Sequence, residues 1–333
     1  MVSGVTTDPK MTGRWFIVGG AGFIGSHFTR KLLDDPATEA VTIFDNFSSG
    51  QRWHYESVAD DPRLTVVENE IRELDALTAA MEGHDNVIHL ASNPDIAKAA
   101  TEPDIDFWEG TFLTHSVVEA MRRSGTPRLC YASGSGVYGD IGEVEASEDL
   151  PGMEPVSTYG ASKLSGEVLI ASYCHMFELQ ACAFRFGNVV GPNQTHGVGF
   201  DFVRRLSADP SHLTILGDGT QSKSYIHVYD VMAAVLLAHQ QAELPFQVYN
   251  VATGDYITVT EIANAACKVL GLDPAEVEYR YSGGDRGWKG DVPIVRIATD
   301  KIRSLGWTCE RNSEAALTEA MVSMLDDVRA GRL

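Results

Sequence analysis

Short runs of β-branched and aromatic residues alternate with longer stretches of helical periodicity between Arg14 and Phe186. Alternation of this kind is typical of a parallel sheet that is covered by helices on both faces. The pattern therefore predicts an α/β fold with a doubly wound parallel sheet. The strands predicted for this sheet are Trp15–Val18, Val41–Phe44, Leu64–Val67, Asn86–Leu90, Arg128–Ala132 and Gln180–Phe186.

A glycine-rich turn follows the first predicted strand. Gly20, Gly22 and Gly25 stand in G-x-G-x-x-G register directly before a helix that begins near Phe23. Glycines at these places let the backbone approach a pyrophosphate, which the helix N-terminus stabilises through its free N–H groups. This context predicts a Rossmann-type dinucleotide site.

Asp45 ends the second predicted strand, twenty positions beyond Gly25. A carboxylate at this distance accepts hydrogen bonds from the adenosine ribose hydroxyls. It also repels a 2′-phosphate, so the sequence favours NAD over NADP. The alternative interpretation of Asp45, as a turn former before Asn46, loses weight once the glycines are in register.

The composition of the chain changes after Phe186, where glycine and proline become frequent and the predicted helices and strands become shorter. We predict an NAD-binding Rossmann domain over residues 13–186. The chain is predicted to return to this domain over residues 225–255, with a further strand at Phe246–Val251. A smaller C-terminal substrate-binding domain is predicted over residues 187–224 and 256–330. Residues 1–12 are polar and are predicted to be a disordered tail.

Two helices are predicted within the C-terminal part. Thr258 and Glu261 have capping-box spacing at the head of a helix that runs to Leu270. A last amphipathic helix is predicted over Ser313–Arg329.

Charge narrows the choice of partners. The chain has 26 Lys and Arg against 46 Asp and Glu, a formal net charge of −20. Such a surface repels nucleic acid, so no nucleic-acid partner is expected. No run reaches the roughly 18 apolar residues of a membrane span, so no membrane partner is expected either.

Five cysteines are scattered without metal-ligand spacing, which predicts buried, reduced thiols in a cytoplasmic protein and no metal site. They are Cys130, Cys174, Cys182, Cys267 and Cys309.

Tyr159 and Lys163 are four residues apart, and so lie on one face of a helix that starts near Ser157. A phenol of reference pKa ~10 is a poor base at neutral pH, but a nearby ammonium favours the phenolate. The pair therefore suggests a tyrosine base. The competing interpretation, an ordinary tyrosine beside a solvated lysine, stays open on this motif alone.

Taken in order, the motifs resemble those of the extended short-chain dehydrogenase/reductases, and most closely the UDP-glucose 4-epimerase branch. The resemblance covers about residues 14–307. The matching segments are the glycine loop, Asp45–Gly50, His89–Ser92, Tyr131–Gly139, Tyr159–Lys163, Arg185–Asn188, Gly217–His227 and Gly284–Pro293.

The resemblance implies a role for each matched residue. Tyr159 is the catalytic base, Lys163 holds the nicotinamide ribose, and Ser135 is a further catalytic candidate. Ser133, Gly134, Asn188, Lys223, Arg286, Lys289 and Asp291 are expected to bind the substrate, a nucleoside-diphosphate sugar, expected to be UDP-linked. NAD is expected to contact Gly19, Gly20, Gly22, Phe23, Ile24, Gly25, Asp45, Asn46, Ser48, Ser49, Gly50, Glu70, Ile71, Leu90, Ala91, Ser92, Tyr159 and Lys163.

Three positions depart from the family pattern. Gly134 stands where a Ser or Thr normally relays the substrate proton, Gly110 stands where an Asn is usual, and Lys223-Ser224 replaces an Arg-Asp pair. Ser133, Ser135, a water molecule or Tyr159 itself are the candidates to replace the relay. If the strand stays regular, both serines face away from the Gly134 side and neither serves, so Ser135→Ala is expected to change the chemical step little.

The implied reaction is 4-epimerisation by transient oxidation. Tyr159 takes the proton of the sugar 4-hydroxyl while C4 gives its hydride to NAD, which later returns it to the opposite face. Related dehydratases carry an Asp-Glu pair where this chain has Ser135-Gly136, and related decarboxylases carry a Glu at the second position. The alternatives are another NAD-dependent modification of a nucleotide sugar, or a non-catalytic NAD- or nucleotide-sugar-binding protein.

Two further expectations come from the resemblance. Helices at about Asp104–Arg123 and Thr158–Phe177 are expected to form a homodimer interface. Val295 stands near the place where a large Tyr excludes N-acetyl groups from the sugar site, so N-acetylhexosamines stay open as substrates.

Overall fold

The core of the protein is a seven-stranded parallel sheet, seen in a computed structural model that describes residues 11–242 and 245–332. The strand order across the sheet is β7-β6-β5-β4-β1-β2-β3. In chain order the strands are β1 (Gly13–Val18), β2 (Thr38–Asp45), β3 (Leu64–Glu68), β4 (Asn86–His89), β5 (Arg128–Gly134), β6 (Gln180–Phe186) and β7 (Phe246–Val251).

This order confirms the predicted doubly wound sheet. The chain runs outward from β1 to β3, returns to β4 beside β1, and then runs outward to β7. The reversal leaves a crevice at the carboxyl ends of β1 and β4, where ligands bind in folds of this kind. Both faces of the sheet are covered, which explains why Phe16 and Ile17, neighbours on β1 that point to opposite faces, are both 0% exposed.

The predicted strand ends differ from the observed ones by up to three residues. The strands Gln180–Phe186 and Phe246–Val251 match to the residue, whereas β2 begins at Thr38. Strand β4 stops at His89, because the next two backbone N–H groups both turn toward the carbonyl of Val18. The chain thereby leaves the sheet at the crevice.

Helices connect the strands and cover the sheet. Their bounds are α1 (Phe23–Asp34), α2 (Leu74–Met81), α3 (Leu113–Ser124), α4 (Thr158–Phe177), α5 (Val198–Ala208), α6 (Val228–Gln241), α7 (Val259–Val269), α8 (Asp300–Ser304) and α9 (Ser313–Arg329). Short 3₁₀ helices lie at Arg52–Val58, Ile96–Ala100, Ser135–Tyr138 and Pro274–Glu276, and a π-helical segment at Phe107–Phe112.

A second hydrophobic core lies among the C-terminal elements. Helices α5, α7 and α9 pack together through residues such as Phe202, Ile262 and Leu317. Short strand pairs join these helices to the sheet. The pairs are Asn188–Val190 with Tyr225–His227, Ser222–Lys223 with Ile257–Thr258, His212–Ile215 with Glu278–Tyr281, and Glu145–Ala146 with Arg296–Ile297.

Both predicted C-terminal helices are present. The capping box is complete, since Thr258 Oγ1 accepts from the Glu261 backbone N–H at 3.2 Å and Glu261 Oε2 accepts from the Thr258 N–H at 2.8 Å. The predicted bounds of the substrate domain, and its role, stay predictions.

The structure corrects two details near the surface. Met11 belongs to the core and not to a disordered tail: it is 2% exposed, and its backbone N–H donates to Asp35 Oδ2 at 2.8 Å. Residues 1–10 of the predicted tail lie outside the described residues. Four of the five cysteines are buried as predicted, but Cys309 is partly exposed.

Among the residues that the structure describes, no helix combines the length and the apolar character needed to cross a bilayer.

Candidate active site

A cavity of about 530 Å³ opens at the carboxyl ends of the sheet strands. It extends from the glycine loop after β1, past the loop after β5 and the start of α4, to the segment around Trp288–Val295. Its size is that of a small-molecule or cofactor site. Most of the predicted cofactor residues line it, whereas Gly20 and Gly50 lie behind its wall.

The glycine loop is built for close approach. Gly19 has a left-handed φ of +81°, and a side chain on Gly25 would collide with the Gly19 carbonyl oxygen. A Cβ on Gly20 would come within 2.9 Å of Ile43 Cγ1. Helix α1 then begins after Gly22 without a side-chain cap, so its first N–H groups are free for an anion. These residues fit a dinucleotide pyrophosphate.

Asp45 lies in the wall of the cavity at the end of β2 and is 7% exposed. Its Oδ2 accepts from the Ala21 backbone N–H at 3.0 Å and its Oδ1 from the Phe47 N–H at 2.8 Å. Burial raises the pKa of this carboxyl, and the two backbone hydrogen bonds oppose the rise. Asp45 thus fixes the glycine loop and keeps further lone pairs for a ribose.

The neighbouring residues form the outer end of the cavity. Asn46 Nδ2 donates to both carboxylate oxygens of Glu70 at 3.2 Å, and Ile71 gives an apolar wall. Gly50 lets the loop fold over Asp45, because a Cβ there would lie 2.9 Å from Asp45 Oδ1. This arrangement suits a flat ring with a ribose beside it.

The predicted catalytic pair lies at the start of α4. Ser157 caps the helix, with its Oγ accepting from the Gly160 N–H at 3.1 Å. Lys163 Nζ is 5.5 Å from the centre of the Tyr159 ring, as the four-residue spacing predicts. Ser92 lines the same cavity, and its hydroxyl lowers the pKa of the Tyr159 phenol. One hydroxyl, one phenol and one ammonium therefore meet in the cavity wall.

Burial acts on both members of the pair. It raises the pKa of Tyr159, an effect that the Ser92 hydroxyl opposes and Asp106 reinforces. It lowers the pKa of Lys163 to about 8, against the attraction of Asp106. The sequence predicted that Lys163 would favour the phenolate. The surroundings of Tyr159 in the protein alone instead favour the neutral phenol.

The loop after β5 decides which hydroxyl can reach the substrate. Strand β5 stays regular to Gly134, which has φ −160° and pairs with Phe186. Ser133 Oγ donates to Glu167 Oε1 at 2.5 Å and is therefore engaged within the protein. The regular strand ends at Gly134, and Ser135 opens a helical turn whose first two residues, Ser135 and Gly136, line the cavity. The expectation that a regular strand turns the serine side chain away from the Gly134 side therefore applies to Ser133, which is part of β5. It does not apply to Ser135, which lies beyond the end of the strand.

A buried ion pair supports this loop from below. Arg185 Nη2 donates to Glu167 Oε2 at 2.7 Å, with both side chains at most 5% exposed. Arg185 Nη1 also donates to the Tyr138 hydroxyl at 2.9 Å, and Tyr138 donates to Asn250 Oδ1 at 2.8 Å. The network joins α4, β6, β7 and the turn at Ser135–Tyr138.

The predicted substrate residues do not all meet. Asn188, Lys223 and Asp291 line the cavity, and Lys223 Nζ forms an ion pair with Asp291 Oδ1 at 2.6 Å. Arg286 and Lys289 lie outside the cavity wall. Arg286 is held instead by Asp140 and by the Asp291 carbonyl. Lys223 is therefore the cation that this end of the cavity presents.

Sequence reasoning missed several residues of the site. Trp288 and Gln194 line the cavity, and Asp106 is buried behind it. Trp288 lies inside the quoted segment Gly284–Pro293 and could have been proposed from it, whereas Asp106 carries no local signal.

The π-helical segment is a further difference from the sequence prediction, which expected a regular helix from about Asp104. Gly110 lies in this segment, and a Cβ there would lie 2.8 Å from Ser162 Cβ. The missing side chain lets the segment pack closely on α4.

The fold and the site together define a dinucleotide-binding α/β protein, with a tyrosine–lysine pair in the same cavity as the glycine loop and Asp45. A family model described as "NAD dependent epimerase/dehydratase family" matches residues 15–252. The chain therefore belongs to the NAD dependent epimerase/dehydratase family of enzymes. This confirms the predicted family and its cofactor, NAD.

Individual relatives resemble the whole chain. The UDP-glucose 4-epimerase of Corynebacterium glutamicum is 29% identical over 332 residues, which cover 93% of this chain and 96% of the relative. A solved structure of a UDP-galactose 4-epimerase is 34% identical, with a TM-score of 0.83 and coverage of 95% and 99%. The dTDP-glucose 4,6-dehydratase DesIV from Streptomyces venezuelae, solved with NAD and TYD bound, is 26% identical, with a TM-score of 0.86 and coverage of 95% and 98%.

Proposed function

We propose that the protein is a nucleotide-sugar 4-epimerase acting on UDP-linked hexoses. The observation that carries the proposal is the loop Ser133–Gly136 beside Tyr159, which offers a serine to the cavity and no carboxylate. Elimination of water across C5 and C6 needs acid and base groups over those carbons. Transient oxidation at C4 needs only a base for the 4-hydroxyl, which Tyr159 supplies.

Each residue of the pair has a defined task. Tyr159 takes the proton of the 4-hydroxyl and returns it after the ketone has turned in the cavity. Ser92, which lines the same cavity, lowers the pKa of the phenol and so favours its action as a base. Lys163 holds its position by donating to the Ala132 carbonyl at 2.9 Å, and is available to a ribose hydroxyl. When bound, NAD accepts and returns the hydride of C4.

The nucleotide diphosphate is assigned to the Lys223 end of the cavity. Lys223 is paired with Asp291 in the protein alone, so a diphosphate would exchange one anionic partner of Lys223 for another. There is open space beside the loop after β5, since a Cβ on Gly134 would meet no other atom within 4 Å. Room of this kind admits hexoses with bulky substituents.

The similar proteins support a nucleotide sugar as the substrate class. They do not distinguish 4-epimerisation from 4,6-dehydration, so the choice of reaction is argued from the site. Named 4-epimerases and a 4,6-dehydratase share the fold at similar TM-scores. The choice of epimerisation therefore rests on the loop after β5 and not on the fold. The proposal includes a cytoplasmic location and a homodimer built on α3 and α4.

The test is an interconversion assay on the purified protein. UDP-glucose, UDP-galactose, UDP-N-acetylglucosamine and UDP-N-acetylgalactosamine are incubated separately, and the products are separated by chromatography. We expect each active substrate to convert to its C4 epimer without added NADH. Formation of a 4-keto-6-deoxy sugar would favour a dehydratase, and binding of NAD without any conversion would favour a non-catalytic role.

A further inference from the structure

Asp106 is a buried carboxylate behind the catalytic pair, and it is 1% exposed. Its Oδ1 accepts from Asn93 Nδ2 at 2.9 Å, and its Oδ2 accepts from Thr158 Oγ1 at 2.6 Å. Asn93 follows Ser92 in the chain, and Thr158 precedes Tyr159. Asp106 therefore joins the segment that carries Ser92 to the first turn of the helix that carries Tyr159.

We propose that Asp106 is a positioning residue of this site, which clamps the turn carrying Ser92 to the first turn of the catalytic helix. The proposal rests on the proposed function, since it gives Tyr159 the role of the base. Without the clamp, Ser92 and Tyr159 would be placed by two separate segments, the loop after β4 and the start of α4. The distance between the two hydroxyls therefore depends on how these segments are held together.

Packing alone does not explain why a charged side chain is buried at position 106. A buried carboxylate is costly unless a cation pairs with it. Among the described residues Asp106 makes no ion pair within 4 Å, and its two hydrogen-bond donors are an amide and a hydroxyl. An asparagine would accept the same contact from Asn93 at a lower desolvation cost. The anion therefore acts on groups further away.

Those groups are Lys163 and Tyr159. The negative charge of Asp106 raises the pKa of both groups. It therefore opposes the loss of the Lys163 proton that burial favours. It also keeps the Tyr159 phenol neutral until a cationic group is bound beside it. The other titratable groups on this side of the catalytic pair are not expected to change charge near neutral pH. Burial lowers the pKa of His89 on β4 to about 3 and raises that of Tyr131 on β5, and Glu167 is paired with Arg185.

Three variants separate these roles. Asp106→Ala removes both acceptors and the charge. Asp106→Asn removes the charge but keeps an acceptor for Asn93, and its amide can donate to the Thr158 hydroxyl. Asp104→Asn is the matched control, because it removes an exposed carboxylate two residues away. Melting curves establish that each variant is folded.

The first readout is steady-state kinetics on the active UDP-sugar. We expect Asp106→Ala to lower kcat by roughly tenfold to a hundredfold with little change in KM, since a small misplacement of the base costs this much. Asp106→Asn should restore most of that loss. Full kcat in Asp106→Ala would overturn the clamp, as would an Asp106→Asn variant that is as defective as Asp106→Ala.

The second readout does not depend on turnover. The ultraviolet difference titration of the NAD-loaded protein against its Tyr159→Phe counterpart reports the ionisation of Tyr159. We expect Asp106→Asn to move this titration, and the acid limb of the pH–kcat profile, to lower pH, while Asp104→Asn leaves both in place. An unmoved titration would overturn the electrostatic role. If the unmodified protein converts no sugar, the proposed function fails, and the titration still decides the role of Asp106.

Discussion

Lys163 Nζ donates a hydrogen bond to the carbonyl oxygen of Ala132 at 2.9 Å, which ties the catalytic helix to the strand that ends at Gly134. The bond spans 31 residues of sequence and brings α4 against β5. It fixes the height of Tyr159, one turn earlier on α4, relative to the loop that follows β5. The substrate carbon must lie between that loop and the phenol, so the spacing determines whether the proton can be taken.

Replacing Tyr159 by Phe tests the base. The ring stays in place while only the hydroxyl is lost, so NAD should remain bound. We expect kcat to fall by about 10² to 10⁴, the usual contribution of general-base catalysis. Tyr281→Phe is the control, because Tyr281 is 42% exposed and lies in a C-terminal strand. Near-normal turnover by Tyr159→Phe would mean that another group takes the proton.

Asp45 is expected to set the preference for NAD. NAD⁺ should raise the melting temperature of the protein more than NADP⁺ does, because the buried carboxylate repels a 2′-phosphate. Asp45→Asn should narrow the difference while keeping an acceptor for the Ala21 or Phe47 N–H. Each shift is measured from the variant's own melting temperature without ligand. Greater stabilisation by NADP⁺ in the unmodified protein would contradict this assignment.

Much of the fold could be predicted because its signals are local. The apolar runs of β6 and β7 and the capping box at Thr258 are each encoded within a few neighbouring residues. The cofactor cradle also follows from a short motif, since Gly19 to Gly25 must pack against one another.

The remainder of the site depends on contacts between distant parts of the chain. Asp106 meets Asn93 and Thr158, which are 13 and 52 residues away, and no periodic pattern links the three. Lys223 and Asp291 are separated by 68 residues. The position of Ser135 depended on where a strand ends, which alternation of side chains cannot predict. Such features require the folded structure.

The loop after β5 allows a rescue experiment. Because Ser135 leaves the regular strand and lines the cavity, we now expect Ser135→Ala to lower kcat by about tenfold if its hydroxyl relays the proton. Gly134→Ser should be tolerated, since φ is −160° and no other atom lies within 4 Å of its Cβ. The double variant should then recover kcat. Unchanged turnover in Ser135→Ala would return the relay to water or to Tyr159 itself.

The ion pair between Glu167 and Arg185 is expected to matter for stability. Arg185→Met leaves Glu167 buried and unpaired, which costs about 3 to 5 kcal/mol of the free energy of unfolding. Adding Glu167→Gln should recover a large part, because the buried charge is then gone. Urea denaturation measures both, and exposed Arg52→Met is the control, since its partner Glu68 lies in solvent. Equal losses in the single and double variants would show that the charge is not the cause.

The expected homodimer can be tested on the exposed apolar residues of α4. Val168, Met176 and Phe177 are 63%, 70% and 40% exposed on this helix, and Phe107 is 52% exposed beside it. Exposed apolar side chains of this size favour burial against a second copy. We expect light scattering at micromolar concentration to give twice the chain mass of 36.2 kDa. Val168→Glu should yield a monomer, because it would bury two charges at the interface, whereas Val144→Glu, at a valine that is 54% exposed outside α3 and α4, should not. A monomer mass for the unmodified protein would remove the dimer from the proposal and leave the catalytic assignments as they stand.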